Sequence, residues 1–210
     1  MAVLKKRWVP VLAPTMFKNE HLGDSYVMET GSLVSRGITV NLMNITGDMK
    51  KQNLNVSFRI TEVKEGKAYT RVTGVEMQPS GIKRLVRRGR NKLDDSILVE
   101  LKAGQKARIK PIIITKNLTN NHTVTAVRVR AREIIKEVCG QLNFETLVYD
   151  IVQMKLQRYL RTQLNAIYPI RSVDIRKCIL LTKHSSEEEQ PLEESSYQGE
   201  QETYEDGERS

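Results

Sequence analysis

Apolar and polar residues alternate along the first half of the chain, which predicts β-strands because successive side chains of a strand point to opposite faces of a sheet. The clearest alternation covers residues 54–61, and a shorter one covers residues 38–42. Both stretches should bury one face. The residues expected on the buried faces are Leu54, Val56, Phe58 and Ile60 in the first stretch and Ile38, Val40 and Leu42 in the second.

Two β-hairpins follow from turn residues between such stretches. Lys64-Glu65-Gly66-Lys67 is a plausible turn, and Ala68 to Met77 is rich in β-branched and aromatic residues. A second hairpin runs from residues 97–101 through Ala103-Gly104-Gln105 into residues 107–114. On its returning strand, Lys106, Arg108 and Lys110 share one face.

The hydrophobic period then changes to that of a helix. Apolar residues from Val124 to Val138 fall on one arc, which predicts an amphipathic helix. Asn143 is a reasonable N-cap for a further helix that runs to about Ile167. The apolar stripe of this helix changes side partway along, so that it either bends or contacts two different neighbours. A last strand is expected from Val173 to Leu181.

The order of these elements predicts an α+β fold with a mostly antiparallel sheet, followed by two or more amphipathic helices that cover one side or end. A curled or barrel-like sheet is one form that such strands could take. We expect a single basic domain over residues 1–184 with an N-terminal arm. Residues 185–210 have too little apolar material to fold and are expected to form a disordered acidic tail.

Charge is distributed unevenly between these two parts. The chain of 210 residues has 34 Lys plus Arg against 25 Asp plus Glu, a net charge of +9. The tail holds ten acids and one base, which leaves a net charge of +18 on residues 1–184. A body this basic favours a polyanionic partner.

Several other classes of protein are disfavoured. No apolar run reaches the ~18 residues of a membrane helix, and the N-terminus has no secretory signal, so a soluble cytoplasmic chain is expected. Cys139 and Cys178 are far apart and have no metal-ligand spacing, which fits a reducing compartment. We expect no metal, no cofactor, no small-molecule substrate and no membrane partner.

The densest feature is a run of six cations within ten residues, without an acid, from Lys83 to Lys92. If the run were helical, Ile82, Leu85 and Val86 would group on one side and the cations on the other. Such a density repels itself unless a polyanion neutralises it, and phosphates match the planar donor fork of arginine. The alternative interpretation is a solvated basic face. The cations of the run are Lys83, Arg84, Arg87, Arg88, Arg90 and Lys92.

Further basic clusters lie on several predicted elements, which favours a large folded RNA over the groove of B-DNA. Aromatic residues are scarce at 5%, so contacts to backbone and shape are expected rather than base stacking on a sheet. Trp8 could stack on a base or pack within the protein, and both remain open. The additional candidate residues are Lys5, Lys6, Arg7 and Trp8, the strand face Lys106, Arg108 and Lys110, the helix flank Arg128, Arg132 and Lys136, and the pair Arg158 and Arg161.

Catalysis finds little support in the sequence. The three histidines, His21, His122 and His184, have no spacing that implies cooperation, and there is no phosphate-binding glycine loop. Asp94 and Asp95 are neighbours after a basic run, so that a counter-charge or helix-terminal role is favoured over general acid–base chemistry. We therefore expect a protein that is not an enzyme.

With these elements in place, the chain resembles the archaeal and eukaryotic family of small-subunit ribosomal proteins called S-three-A. It looks like the shorter archaeal form because a lysine-rich N-terminal extension is missing. The chain departs from the family pattern at Thr39, Asn41 and Asn44, where acid, Ser and acid are typical. The matching pieces are Trp8 with Ala13-Pro14-Thr15-Met16-Phe17 and Gly23; Arg36, Leu42 and Thr46-Gly47-Asp48; Arg84 to Arg90; Asp94-Asp95; and Ile167-Tyr168-Pro169-Ile170 with Val173, Ile175, Arg176 and Lys177.

This resemblance implies a structural, non-catalytic protein on the platform side of the small ribosomal subunit. Its implied partners are small-subunit rRNA and neighbouring ribosomal proteins, near where messenger RNA leaves. Arg176 and Lys177 join the candidate RNA-binding residues on the matching motif. Two rival functions remain: a free RNA-binding regulator or chaperone that associates transiently with RNA, and an enzyme that acts on RNA.

Overall fold

The computed structural model describes residues 6–102 and 104–181. Lys5, the predicted boundary at residue 184 and the predicted acidic tail lie outside these ranges. Nine strands are formed: β1 (Arg7–Leu12), β2 (His21–Val27), β3 (Gly37–Asn41), β4 (Leu54–Lys64), β5 (Lys67–Met77), β6 (Lys92–Asp94), β7 (Ile97–Glu100), β8 (Lys106–Thr115) and β9 (Ile170–Leu181). Five α-helices accompany them: α1 (Leu42–Thr46), α2 (Pro79–Leu85), α3 (Asn121–Gly140), α4 (Phe144–Val152) and α5 (Lys155–Leu164).

The predicted α+β class is confirmed, with one sheet that contains all nine strands. Its ladders are antiparallel except for a short parallel pairing of β1 with β5, so the sheet is mixed. Strand β5 pairs with β4 along one edge and with both β1 and β9 along the other, so the sheet forks at β5. Strand β8 pairs with β9 on one side and with β6 and β7 on the other.

The sheet does not close into a barrel. Within the described residues, β2, β3, β6 and β7 each pair with a neighbour on one side only. The barrel-like alternative is therefore wrong. Closure would require these edge strands to pair with each other, and none of the pairings among the described strands does so.

Both predicted hairpins are confirmed. Glu65 and Gly66 adopt positive φ angles of 51° and 74°, the left-handed conformation that a tight two-residue turn between antiparallel strands requires. The buried face of β4 is the predicted one. Leu42 departs from the expectation, because it is buried as the first residue of α1 rather than as the end of β3. There, the Asn41 side chain caps α1 by accepting a hydrogen bond from the Met43 N–H.

The long second helix predicted after Asn143 is two helices. Met154 adopts a φ of 59°, a left-handed conformation that ends α4 and starts α5 in a new direction. This break accounts for the apolar stripe that changes side along the sequence. The buried faces on either side of it include Ile151 in α4 and Leu160 in α5.

Helices α3, α4 and α5 pack on one side of the sheet, against β5, β7 and β9. The main core lies between these two layers, and a smaller apolar cluster lies beneath β1 and β2. Close packing at the fork requires a glycine, because a Cβ on Gly74 would lie 2.9 Å from the Cys178 carbonyl oxygen. Within the described part of the chain, no helix is long and apolar enough to cross a membrane.

Candidate nucleic-acid interface

The basic run from Lys83 to Lys92 forms a helix end, a loop and a strand start rather than one helix. Helix α2 ends at Leu85, Val86 is extended, and Gly89 adopts a φ of 80° that favours glycine. Only Lys83 and Arg84 are therefore helical, so the single helical comb of cations is wrong. We call residues 86–91, which carry the other arginines, the arginine loop.

Both ends of the arginine loop are fixed. Helix α2 holds the first end, and Asn91 holds the second through hydrogen bonds to two other segments. The Asn91 N–H donates to Thr115 Oγ1 at 2.9 Å, and Asn91 Oδ1 accepts from the Thr119 N–H at 2.8 Å. The short loop between these anchors presents its arginines on a defined backbone.

The side chains of Arg87 and Arg88 are exposed and make no hydrogen bond or ion pair with the residues that the structure describes. Lys83 is exposed in the same way. Arg84 is held differently, because its Nη2 donates to Asn53 Oδ1 at 2.9 Å. The guanidinium groups of Arg87 and Arg88 and the ammonium group of Lys83 are thus available to an external anion.

Arg90 extends this surface toward the last strand. Its Nη1 is buried without a hydrogen-bond partner in the described chain. Desolvation, together with the positive charges of Arg171 and Arg87, lowers the pKa of Arg90 from its ordinary value. The charges of Arg87 and Arg171 thus disfavour the charged form of Arg90, and a phosphate bound at Arg90 would offset that repulsion.

Arg171 was missed by sequence reasoning. It starts from β9, 81 residues after Arg90 in the chain, and no local pattern marks it. It also lines a shallow depression of 440 Å³ together with Lys116 and with Arg161, which was predicted. The alternation of β9, with Ile170 buried and residue 171 exposed, is the only sequence signal that could have indicated its direction.

Other predicted cations are held by carboxylates of the protein. Arg128 Nε and Arg132 Nε lie 3.0 Å from the two oxygens of Asp95, whose side chain is 11% exposed. Arg176 Nη1 donates to Asp94 Oδ2 at 2.8 Å, and Lys92 Nζ lies 3.1 Å from the same atom. The counter-charge role predicted for the two aspartates is confirmed.

Two further candidate RNA-binding residues form longer ion pairs with carboxylates of the protein. Lys106 Nζ lies 3.4 Å from Glu100 Oε1, and Lys177 Nζ lies 3.3 Å from Glu76 Oε2. Lys106, Arg108 and Lys110 share the predicted outer face of β8. Lys136, Arg158 and Arg161 are exposed on α3 and α5.

An aromatic pair lies near the N-terminus. Trp8 is 67% exposed, and its ring lies 4.7 Å from the ring of Tyr26, centroid to centroid. Lys6 Nζ is 5.6 Å from the Tyr26 ring centroid, and Arg7 Nη2 donates to Thr30 Oγ1 at 3.4 Å. Trp8 therefore lies against Tyr26 on an exposed strand, in a tilted pair, and is outside the apolar core of the described residues.

No catalytic constellation is seen in the described residues, and they contain no cluster of three or more potential metal ligands. His21 bonds to Asp24 at 2.9 Å on the surface. Cys139 and Cys178 are buried. Burial raises the pKa of the Cys139 thiol to about 12. It also raises the pKa of the Cys178 thiol above its ordinary value. Neither thiol is poised as a nucleophile.

Comparison with known proteins gives a match over nearly all of this body. The sequence profile of the ribosomal S3Ae family matches residues 2–184. A protein of Methanothrix thermoacetophila is 32% identical over 84% of the chain and 83% of its own length, and one of Halorubrum lacusprofundi is 32% identical over 86% and 84%. A relative in Archaeoglobus fulgidus is 29% identical over 89% of each chain. All three are named small ribosomal subunit protein eS1.

Proposed function

Because the chain belongs to the ribosomal S3Ae family, we propose that it is a structural constituent of the small ribosomal subunit and turns over no substrate. Its partners in this proposal are small-subunit rRNA and neighbouring ribosomal proteins, in the cytoplasm. The proposal rests on the family match over residues 2–184 and on relatives named as small-subunit proteins. The proposal also includes a position near the path of messenger RNA, which the family resemblance implies.

The observation that carries the mode of binding is the unneutralised arginine loop. Arg87 and Arg88 are exposed on a loop fixed at both ends, and Arg90 carries a guanidinium nitrogen without a hydrogen-bond partner in the described chain. Arginine forks on a preorganised backbone lose little conformational freedom when they pair with phosphate. We propose that the loop contacts the rRNA backbone and that the contacts are mainly to phosphates.

The remaining candidates divide by their surroundings. Lys83, Arg84, Arg158 and Arg161 are exposed and extend the basic surface from α2 and the loop toward α5. Trp8 offers an aromatic face for stacking, which is sequence-tolerant. Cations already paired with carboxylates are proposed to contribute less, because RNA must compete with an existing ion pair.

Sedimentation of a cell lysate through a high-salt sucrose gradient tests the assignment to the subunit. The proposal predicts that the chain co-migrates with the small subunit at a fixed ratio. Recovery in the light fractions would instead support a free RNA-binding regulator or chaperone. A complementary test titrates purified protein with RNA: pairing of six to ten phosphates predicts a loss of affinity on the order of a thousandfold over a fourfold rise in salt.

A further inference from the structure

A cavity of 540 Å³ lies where α2, the break between α4 and α5, the start of β4 and strand β9 meet. Its volume is in the range of pockets that hold a nucleotide-sized ligand. The walls are largely apolar, with Leu54, Leu85, Val152 and Ile175 among them. The polar groups at this cavity have an arrangement that the phosphate contacts proposed above do not use.

Asp174 is the first of these groups. This residue is 7% exposed and lines the cavity. Its carboxylate makes no hydrogen bond or ion pair with any part of the chain that the structure describes. Burial removes water from around the carboxylate and so raises the pKa of Asp174 above its ordinary value. A buried carboxylate without donors is costly, and nearly all buried polar groups in proteins have partners. The protein therefore supplies no N–H or O–H donor to the Asp174 carboxylate, and a ligand in the cavity could supply one.

Gln157 is the second group, on the α5 side of the cavity. It is 4% exposed, and its Nε2 donates to the Ile151 carbonyl at 3.0 Å. The carbonyl can only accept, so this bond fixes the orientation of the amide and leaves Oε1 without a partner among the described residues. Gln157 Oε1 is enclosed by protein atoms, so of these two buried polar side chains it is Asp174 that offers an accessible, unpartnered acceptor to a ligand in the cavity.

Four cations line the same cavity from more exposed positions: Lys50, Lys51, Arg84 and Arg158. The one other acid at the cavity, Asp48, already caps its own turn, with Oδ1 accepting from the Lys50 N–H at 2.9 Å. The rim therefore attracts an anion and disfavours a cationic ligand such as a lysine or arginine side chain. A fitting ligand combines a neutral head that donates hydrogen bonds with an attached negative charge.

A nucleotide has both parts, and we propose that the cavity receives a single unstacked guanine nucleotide of the RNA. Guanine fits Asp174 best because its N1–H and N2–H₂ form two parallel donors that match the two carboxylate oxygens. Adenine and cytosine offer only an amino group there, and uracil offers one N–H between two carbonyls. The phosphate lies toward Arg84 and Arg158. This inference rests on the proposed RNA-binding function and adds a base-reading site to it.

Fluorescence anisotropy with the full chain tests the site. The probes are a labelled oligouridylate of about twelve nucleotides and the same RNA with one central G, A or C. Two parallel hydrogen bonds from guanine to Asp174 predict about tenfold tighter binding of the G-containing RNA than of the oligouridylate. The RNAs with a central A or C should gain less affinity. Asp174→Asn, which replaces one acceptor by a donor, should reduce the G preference to about onefold. The matched control Asp24→Asn makes the same charge change at an exposed site and should keep the preference.

A second measurement uses the unaltered chain and does not depend on how the Asp174→Asn variant folds. Kethoxal attacks N1 and N2 of an unpaired guanine, so the central G should be protected in the complex. A reactive G, an equal affinity for all four RNAs, or a G preference that survives Asp174→Asn would each overturn the site. Oligouridylate binding that persists in these cases would leave the proposed phosphate contacts intact, whereas absence of any RNA binding at low salt would contradict the proposed function itself.

Competition with free guanosine monophosphate distinguishes the source of the base. If the nucleotide comes from RNA, the monophosphate should compete only at concentrations far above those of the G-containing RNA, because it lacks the contacts to neighbouring phosphates. If it binds more tightly than the RNA, a free nucleotide is the ligand and the RNA assignment is wrong.

Discussion

Two groups of arginines with the same formal charge have different surroundings in this protein. Arg128 and Arg132 on α3 share the carboxylate of Asp95, at 3.0 Å each. Arg87 and Arg88 in the arginine loop have no carboxylate partner within the described chain. One carboxylate partly neutralises the first group before any RNA arrives and leaves it with a net charge of +1, whereas the second group keeps its full charge. Density of positive charge in the sequence is therefore a poor guide to which cations can bind phosphate, and the placement of acids decides it.

Removing the unneutralised group should have the largest effect. The triple variant Arg87→Gln/Arg88→Gln/Arg90→Gln is expected to weaken RNA binding on the order of a hundredfold and to reduce the salt slope by about three, since three phosphate contacts are lost. Anisotropy titrations at several salt concentrations measure both. Lys64→Gln/Lys67→Gln/Arg71→Gln removes the same charge at the β4–β5 hairpin and serves as the control. An equal loss in both variants would show that only net charge matters.

Adding an acid to the loop should make it resemble the neutralised group. Asn91→Asp keeps the Oδ1 acceptor for the Thr119 N–H and places a negative charge beside Arg90. Affinity for RNA is expected to fall about fivefold, because the new carboxylate competes with phosphate for the arginines. Asn44→Asp on α1 adds the same charge outside the loop and should lower the affinity less. Loss of thermal stability in the Asn91→Asp variant alone would point to the anchor instead of the charge.

Removing the carboxylate from the paired group should make it resemble the loop. Asp95→Asn releases Arg128 and Arg132, and RNA affinity is expected to rise about threefold. The free energy of unfolding should fall by about 1 kcal/mol, because the largely buried Asp95 loses two ion pairs whose arginines are partly exposed to solvent. Urea unfolding and RNA titration of the same sample measure the two changes. Unchanged RNA affinity would mean that these arginines point away from the RNA.

Removing the paired arginines themselves should change RNA affinity least. Arg128→Gln/Arg132→Gln is expected to weaken binding less than about twofold, since RNA gains little from groups already paired. Its main effect is on stability: the Asp95 side chain, 11% exposed, loses its partners, and unfolding should become easier by about 1–2 kcal/mol. A loss of affinity as large as that of the triple loop variant would remove the distinction between the two groups.

Much of the fold follows from the sequence because local patterns dominate it. The alternation in β4, the Glu65-Gly66 turn and the helical arc of α3 each follow from residues within a few positions of one another. The break at Met154 was visible only as a stripe that changes side, since methionine has no preference for positive φ. The fork at β5 depends on Gly74 meeting Cys178, more than a hundred residues apart, and no local pattern indicates it.

In the candidate interface too, local features could be predicted from the sequence and contacts between distant segments could not. The exposed arginines of the loop could be predicted because they are consecutive in sequence. The contribution of Arg171 and the pairing of Arg128 and Arg132 with Asp95 could not, because each depends on distant elements brought together by the sheet. The cavity at Asp174 was likewise invisible: a lone aspartate between Val173 and Ile175 in a predicted strand gives no sign that a void opens beside it.

The position of β9 has a consequence for how the protein is made. Residues 170–181 are the last strand in the described chain, yet they lie between β5 and β8 and join the two branches of the sheet. A nascent chain can form the β4–β5 and β7–β8 hairpins early, but the ribosome must deliver β9 before they become one sheet. Until then, the unpaired edges of β5 and β8 can pair with other strands. Biogenesis should therefore pass through a vulnerable interval in which a chaperone, or early binding of the arginine loop to RNA, guards against aggregation.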